Sequence, residues 1–518
     1  MKFYEYDLIV VGGGAAGLCA ALSAKERCGG SIVLLEASEA PGGNSAFAPM
    51  PAMSDYDLSE TVLEKRYLDK MEADNWESDA RIVSTVINRF SKSIRWLYRI
   101  TEGCTGSLTE KLEAASRRAG IDIMVETRVQ SLLRDGRNWT CGVTAMQHGE
   151  SVVVSGKAVV LACGGFLGAE DLMQKYYPLY DADFEKEIVL QGHKATGDGV
   201  RLALAAGAGD DCTATFELGT DPAPFYSGTP GPVARKLIDN SQRPEGVWVN
   251  NVGVRFTNEA APASLQAVYR QPNKEFYVIY DAGVIEVLHE KDPEISLEAL
   301  NAEMPELIAG DEAIVTEHLG AITAWLRGKT HITFHTLERY NECCEAGHDF
   351  LFGKDPRYLI PFRKPPFYGF KLGLSMRSTH GPIRTNPMMA VVDRFDAPIP
   401  ALIACGADVA GLYRGRFVQE RGTDSIMYAI TTGIIAGDHA AGFCHGMGPA
   451  APCTFPKFTA EQVLAGDYYN VGVAPEEFAV LGGILELQPD GSRVLRHVAE
   501  SADRQGLLRD RMPPRPEE

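Results

Sequence analysis

Leu8 to Val11 is an unbroken apolar run of the kind that fills a strand buried on both faces of a parallel sheet, and it enters Gly12-Gly13-Gly14-Ala15-Ala16-Gly17 directly. The pattern predicts strand, glycine turn and helix. The helix continues through the alanine-rich stretch Leu18 to Lys25, and Ser31 to Leu35 predicts the next buried strand. From Leu58 to Ala119 the apolar positions of VLEKRYLDKM and RIVSTVINRFSKSIRWLYRI recur every three or four residues, which predicts packing helices. Ile121 to Glu126 and Val129 to Leu133 read as strands, followed by a meander over CGVTAMQHGESVVVSGKAVV and a buried strand over Lys157 to Leu167. Further on, Glu275 to Tyr280 predicts a strand, Leu297 to Leu326 helix, IPFRKPPFYGF a stiff proline-rich return, and IMYAITTGIIAGDHAAG a long apolar helix.

A length of 518 residues suits two or three domains at roughly 100 to 200 residues each. The net charge of -19 argues against a nucleic-acid partner and against an anionic membrane surface. No apolar run approaches the ~20 residues of a membrane span, and Met1 to Tyr6 leads straight into the first strand, so a cytoplasmic location is expected. The 11 cysteines show no CxxC or CxxCH spacing, which points to no metal site and no disulfide framework; Cys343-Cys344 reads as two thiols.

The glycine turn is where candidate chemistry begins. Gly12 permits the tight turn, Gly14 lets a pyrophosphate approach the backbone, and Gly17 lets the helix pack on the sheet, while the free N–H groups of the helix start hold phosphate. Glu36, about twenty residues beyond the last glycine, stands where an acid binds ribose hydroxyls. The constellation predicts a bound dinucleotide. The following Pro41-Gly42-Gly43-Asn44-Ser45 resembles the GGN(S/T) segment of the flavoprotein family containing soluble fumarate reductases and 3-ketosteroid dehydrogenases. KAVVLACGGFL resembles that family's VVLATGGF, with Cys163 in the small-residue position, and Ala195-Thr196-Gly197-Asp198-Gly199 matches its ATGDG; an N-cap role for Asp198 is the simpler reading and compatible with the other. VWVNNVGVRFTNE resembles its (I/V)xVNxxGxRFxNE, where Arg255 and Glu259 read as an ion pair fixing an inserted domain. IPALIACGADVAGL resembles IPGLYAAGE(V/T)xGG.

The resemblance covers Met1 to about Phe443 and implies an α/β fold, a Rossmann-like FAD-binding domain with an inserted α+β capping domain. The boundaries it suggests are 1–225 and 373–445 for the FAD-binding domain, 226–372 for a mobile cap, and 446–518 for a C-terminal extension of unrecognised type. That extension is expected to make a subunit contact, giving a homo-oligomer, or to clasp the cap. The cofactor set implied is Gly12, Gly14, Ala15, Ala16, Gly17, Glu36, Ala37, Ser38, Gly42, Gly43, Asn44, Ser45, Val129, Ala162, Cys163, Gly164, Thr196, Gly197, Asp198, Gly406, Asp408, Ser425 and Ile426, with Asp408 on the ribityl chain. The FAD is expected to be non-covalent, since no histidine stands near Asn44-Ser45. Trp96 and Tyr98 are weighed between the core and the site.

The family moves a hydride between flavin and a carbon beside an activating group, while a side chain handles the neighbouring proton. This chain departs from the family where fumarate is held. Asn258-Glu259-Ala260-Ala261-Pro262-Ala263 lacks the arginine that follows NE, FELGTDP replaces the QxHPT segment, and Ser378 stands in place of a histidine of HHTxGG. Reduction of an activated C=C bond, or the reverse desaturation, of an unsaturated acid or cyclic ketone other than fumarate is therefore expected. Arg421, His380 and Tyr413 are the catalytic candidates, and Arg416, Arg414 and Ser378 the substrate-binding ones. Structural readings stand beside them: an Arg421–Glu420 ion pair, a backbone-holding His380, a packing Tyr413. With no haem or FMN domain fused, electrons are expected to pass to or from a separate donor or acceptor, and without a second GxGxxG unit tight NAD(P)H binding is not expected. A flavin-binding electron-transfer or scaffold subunit is the alternative.

Overall fold

The computed structural model describes residues 2–135, 138–177, 180, 195–211, 215–221, 230–238, 244–261, 264–271, 274–326, 330–414 and 423–444, with three strands beyond them. In chain order the strands are β1 (Lys2–Glu5), β2 (Leu8–Val11), β3 (Ile32–Leu35), β4 (Asp122–Met124), β5 (Thr127–Asp135), β6 (Thr140–Gln147), β7 (Glu150–Ser155) and β8 (Ala158–Leu161). There follow β9 (Thr215–Asp221), β10 (Val247–Val249), β11 (Glu275–Asp281), β12 (Ala313–Thr316), β13 (Phe367–His380), β14 (Ala390–Val392) and β15 (Pro398–Ala404).

β2, β3 and β8 are wholly buried, as unbroken apolar runs require, and they form the centre of a six-stranded sheet ordered β14-β15-β8-β2-β3-β4. Every neighbouring pair is parallel except β14–β15. Helix α1 (Ala15–Cys28) leaves β2 through the glycine turn. Gly12 has φ +105°, and a Cβ there would lie 2.2 Å from the carbonyl oxygen of Ala162, so both the turn and the adjoining strand end demand glycine. The Asp424–Cys444 helix packs on α1 at backbone distance, since a Cβ on Gly433 would meet the Ala16 carbonyl oxygen at 2.3 Å.

The predicted meander forms a second sheet, β1-β7-β6-β5, whose β5 edge is extended by a strand of the C-terminal extension. That strand, β16 (Tyr468–Gly472), runs antiparallel to β5 from Tyr468↔Asp135 to Gly472↔Ser131. The extension thus reaches the meander through β16. Its other described part is a hairpin of β17 (Gly483–Leu487) and β18 (Arg493–His497).

A third sheet is ordered β10-β11-β13-β12, and β9 joins it along the far half of β13. The stretch Leu297 to Leu326 is not one helical unit. Helix Leu297–Ala309 is followed by β12 and then helix Leu319–Trp325, because Ala313 to Thr316 pair with Phe370 to Phe367. The VNNVGVRF signature gives one short strand and a single Val249↔Arg255 bridge rather than a full hairpin. Trp96 and Tyr98 lie on helix Phe90–Ile100, where Trp96 donates to Glu26 at 2.6 Å and Tyr98 to the Pro51 carbonyl at 3.1 Å. Among the described residues no helix is long and apolar enough to cross a membrane.

Arg255 and Glu259 form the expected ion pair at 2.7 Å, and it is part of a larger buried cluster. Arg255 also meets Asp349 at 2.7 Å, and Lys354 lies 3.5 Å from Glu259 and donates to the Gly246 carbonyl at 3.0 Å. Two cations face two carboxylates. Burial raises the pKa of Asp349, but hydrogen bonding and the charge of Arg255 outweigh it and hold the carboxyl at about 2. Removing the guanidinium leaves two carboxylates buried with one ammonium. Arg255→Met is expected to cost about 3–5 kcal/mol, read as a lower urea midpoint by circular dichroism. Because the unfolded aspartate titrates near pH ~3.9, the contribution of Asp349 should be complete above that value and lost as pH falls toward about 2.

Candidate active site

The glycine turn, the start of α1 and the ends of β8, β13 and β15 surround a cavity of about 590 Å³, within the range of cofactor sites. At one end Glu36 is fixed by backbone donors, Gly13 N–H to Oε2 and Ser38 N–H to Oε1, both at 2.7 Å. Ala37 and Ser38 continue that wall. In the middle, Gly14, Ala15 and Ala16 present the α1 terminus, which no side chain of its N-cap residue closes; Ser45 Oγ accepts from Ala15 N–H at 3.2 Å. Gly43, Asn44 and Ser45 lie on a short 3-10 helix, Gly43–Phe47, and Asn44 donates to the Arg377 carbonyl at 2.7 Å. The other end is formed by Glu217, Arg377, Ser378 and His380 with Leu412 and the first turns of the Asp424–Cys444 helix, including Ser425, Ile426 and Tyr428.

Gly14 tests whether this cavity fits the expected dinucleotide. Its backbone is ordinary (φ −73°, ψ 178°), and a Cβ would meet no protein atom nearer than Ser45 Oγ at 3.6 Å. Neither conformation nor protein packing requires glycine at this position, while the space it leaves lies on the cavity wall at the start of α1. That is the cradle a pyrophosphate fills. The residues present fit the group.

Val129, Ala162, Cys163, Gly164, Thr196, Asp198 and Gly406 also line the cavity, as do Gly12 and the predicted Ser378 and His380. Asp198 opens helix Asp198–Ala205 but does not cap it, since Gly197 is the N-cap residue. Its carboxylate takes two hydrogen bonds of 2.8 Å from Arg128, which also donates to Thr196 Oγ1 at 2.8 Å, so this loop is clamped to β5. Gly17, Gly42 and Gly197 shape the turns around the cavity from behind its lining.

Three predicted side chains are placed elsewhere. Asp408 is fully buried and outside the lining, accepting from Cys163 N–H at 2.5 Å and Gly165 N–H at 2.8 Å, so it ties two loops together instead of reaching into the cavity. Burial raises its pKa to about 6 against the opposing effect of those backbone donors. Arg414 is taken by Asp211 at 2.7 Å and the Glu77 carbonyl at 3.3 Å. Tyr413 is buried one layer behind His380, with ring centroids 4.7 Å apart, and the Lys70 ammonium lies 4.8 Å over its ring. Burial pushes its phenol far above the usual range. Arg416 and Arg421 lie outside the described residues.

Glu217 and Arg377 escape a motif reading. β9 and β13 pair as Met376↔Leu218 and then Ser378↔Glu217, leaving Arg377 as the extra residue of a β-bulge. The bulge adds Arg377 to a cavity wall that Ser378 and His380 already share. Glu217 lies opposite Ser378, with its Oε2 4.0 Å from His380 Nε2. Burial raises the pKa of Glu217 against the charge of Arg377 and a hydrogen bond with Ser425. Burial, aided by the charge of Lys70, lowers that of His380 to about 3, so its imidazole is neutral near neutral pH. Among the described residues no group of His, Cys, Asp and Glu is arranged to hold a metal ion.

Residues 105–418 match the model of a protein family described as FAD binding domain, and residues 7–165 match one described as FAD dependent oxidoreductase. A vinyl phenol reductase of Lactiplantibacillus plantarum is 28% identical over 500 residues, which cover 86% of this chain and 98% of that protein. An NADH:fumarate oxidoreductase of Klebsiella pneumoniae is 25% identical over 84% of this chain, but this chain spans only 48% of it. The solved 3-ketosteroid-Δ4-(5α)-dehydrogenase of Rhodococcus jostii RHA1 shares the fold at TM-score 0.66 and 18% identity, covering 85% of this chain and 97% of that one.

Gly14→Ala should leave the apoprotein's thermal midpoint unchanged, because a Cβ there meets protein atoms only at ordinary van der Waals distance. Its affinity for FAD is expected to fall tenfold or more, about 1.4 kcal/mol, in a titration of apoprotein followed by flavin fluorescence.

Proposed function

The chain belongs to the FAD binding domain family, and on that premise we propose that this FAD-dependent oxidoreductase reduces the carbon–carbon double bond of a vinyl phenol or a similar arylalkene. The observation that carries the reading is the buried Glu217 carboxyl in the far wall of the cavity, beside a neutral His380. A dicarboxylate needs a cationic partner for each end, and a site missing a required partner rejects its ligand by roughly 10⁴ to 10⁵. Among the described residues that end of the cavity presents one cation, Arg377, set against an acid. Arg128, the other arginine of the lining, is held by Asp198. One guanidinium suits a single phenolic oxygen, and Leu412 and Tyr428 offer apolar surface to a ring.

The relative that this chain spans almost end to end carries vinyl phenol in its name, which supports the same substrate class. FAD, when bound, supplies the hydride equivalent that one carbon of the double bond requires. The chain's own residues hold and orient it. Gly14, Ala15 and Ala16 take the pyrophosphate, Glu36 the ribose, and Asn44 and Ser45 lie between the phosphate cradle and the substrate end. The inserted segment, 226–372, serves as the cap that keeps water from the substrate. A separate donor of reducing equivalents is part of this reading. The nine described cysteines are all free thiols, which fits a reducing, cytoplasmic setting.

Under anaerobic conditions, holoenzyme reduced with dithionite is expected to be reoxidised by 4-vinylphenol about 10³-fold or more faster than by fumarate, measured by return of the visible flavin band. Equal or faster reoxidation by fumarate would exclude the reading.

A further inference from the structure

We propose that Glu217 is the proton donor of this reaction and that Arg377 positions the substrate oxygen beside it. The proposal rests on the reductase reading above and adds the identity of the acid. Three features of the chain support it. The β9–β13 register sets Glu217 directly across from Ser378, and the bulge brings Arg377 into the same wall, so both side chains face one end of one cavity. The carboxyl is held by a hydrogen bond with Ser425 at the start of the Asp424–Cys444 helix, and it lies 4.0 Å from His380 Nε2. Among the described residues the other proton-bearing side chains at that end are less suited: His380 is neutral near neutral pH, Tyr413 lies behind it, the Tyr428 phenol is an intrinsically weaker acid than a carboxyl, and a guanidinium surrenders a proton poorly.

The chemistry requires such an acid. A vinyl group on a phenol is not electron-poor, so hydride does not add to it unaided. Proton delivery from Glu217 to the terminal vinyl carbon uses the vinyl π pair for the new C–H bond, while loss of the phenolic proton to solvent lets the oxygen's electrons move through the ring, forming a quinone methide. Its benzylic carbon would then take the hydride equivalent that bound, reduced FAD supplies, leaving the flavin oxidised, and the phenolate beside Arg377 would regain a proton. The product gains one proton and one hydride across the former double bond, and Glu217, left as carboxylate, is reprotonated from water. Burial keeps the acid form present at higher pH than for an ordinary glutamate, against the charge of Arg377. His380 and Tyr413 are the other titratable groups facing it.

Glu217→Gln keeps the shape and removes the acid. In dithionite-reduced holoenzyme, the rate of reoxidation by 4-vinylphenol is expected to fall by about 10² to 10⁴. FAD content and the perturbation of the visible band by 4-ethylphenol should be retained. The wild-type rate should decline as pH rises through the pKa of Glu217, and the residual rate of the variant should not follow that titration. Independently of turnover, infrared difference spectra of oxidised holoenzyme should show a carboxylic-acid C=O band that persists to higher pH than that of an ordinary glutamate and that the variant lacks. A variant rate within about threefold of wild type, or no band lost on substitution, overturns the proposal. Should wild type ignore 4-vinylphenol yet be reoxidised by another alkene, the substrate reading fails, and Glu217 is judged by the same comparison on that alkene.

Discussion

The site depends on a single strand that serves two neighbourhoods. β13 runs for 14 residues, and Phe367 to Gly373 pair with β11, with β12 on the opposite edge of its first half, while Gly373 to His380 pair with β9. One rigid ladder therefore links the third sheet to the cavity wall. Side chains alternate along a strand, so a slip of one residue would exchange the residues that face the cavity for those that face away. The bulge at Arg377 is a local slip of this kind, confined to one position. It lets Arg377, Ser378 and His380 share a wall that strict alternation would divide.

Much of the polar chemistry around the cavity is spent on holding this geometry. Asp408 spans two loops, Asp198 holds Arg128, and Asp211 holds Arg414. Arg66 pairs with Asp424 at the start of the long helix, where Tyr56 donates to the same carboxylate at 2.9 Å. Buried polar groups need partners, and those with partners inside the protein are poorly placed to serve a ligand. This separates Glu36 from Asp408. Both accept from backbone N–H groups, but Glu36 remains on the cavity wall and Asp408 does not.

The sequence made legible what depends on neighbours along the chain. The Leu8–Val11 strand, the glycine turn, α1 and Glu36 follow from spacing over about thirty residues, and the structure places all of them around one cavity. Failures came where pairing at long range decides. Glu217 looked like the absence of a histidine motif, because only its pairing with Ser378 shows that it reaches the cavity. Nothing in RST marks Arg377 as a bulge. Tyr413 and Arg414 are candidates by residue type, as a phenol and a guanidinium, yet long-range packing puts one behind His380 and the other on Asp211. β12 interrupts an otherwise helical stretch because β13 offers it an edge.

The charge balance at the substrate end ties recognition to chemistry. Whenever Glu217 carries its proton and His380 is neutral, Arg377 is the charge the described residues leave at that end, which favours a phenolate or another single anionic oxygen. Once Glu217 has given up its proton, the carboxylate cancels the charge of Arg377 and the attraction for an anion weakens. The same proton thus controls both entry and turnover: its presence favours the bound substrate, and its transfer favours release of the product. A fumarate site needs positive charge throughout, because both carboxylates survive reduction. An arylalkene site has no such need, and an acid opposite an arginine is a workable arrangement there.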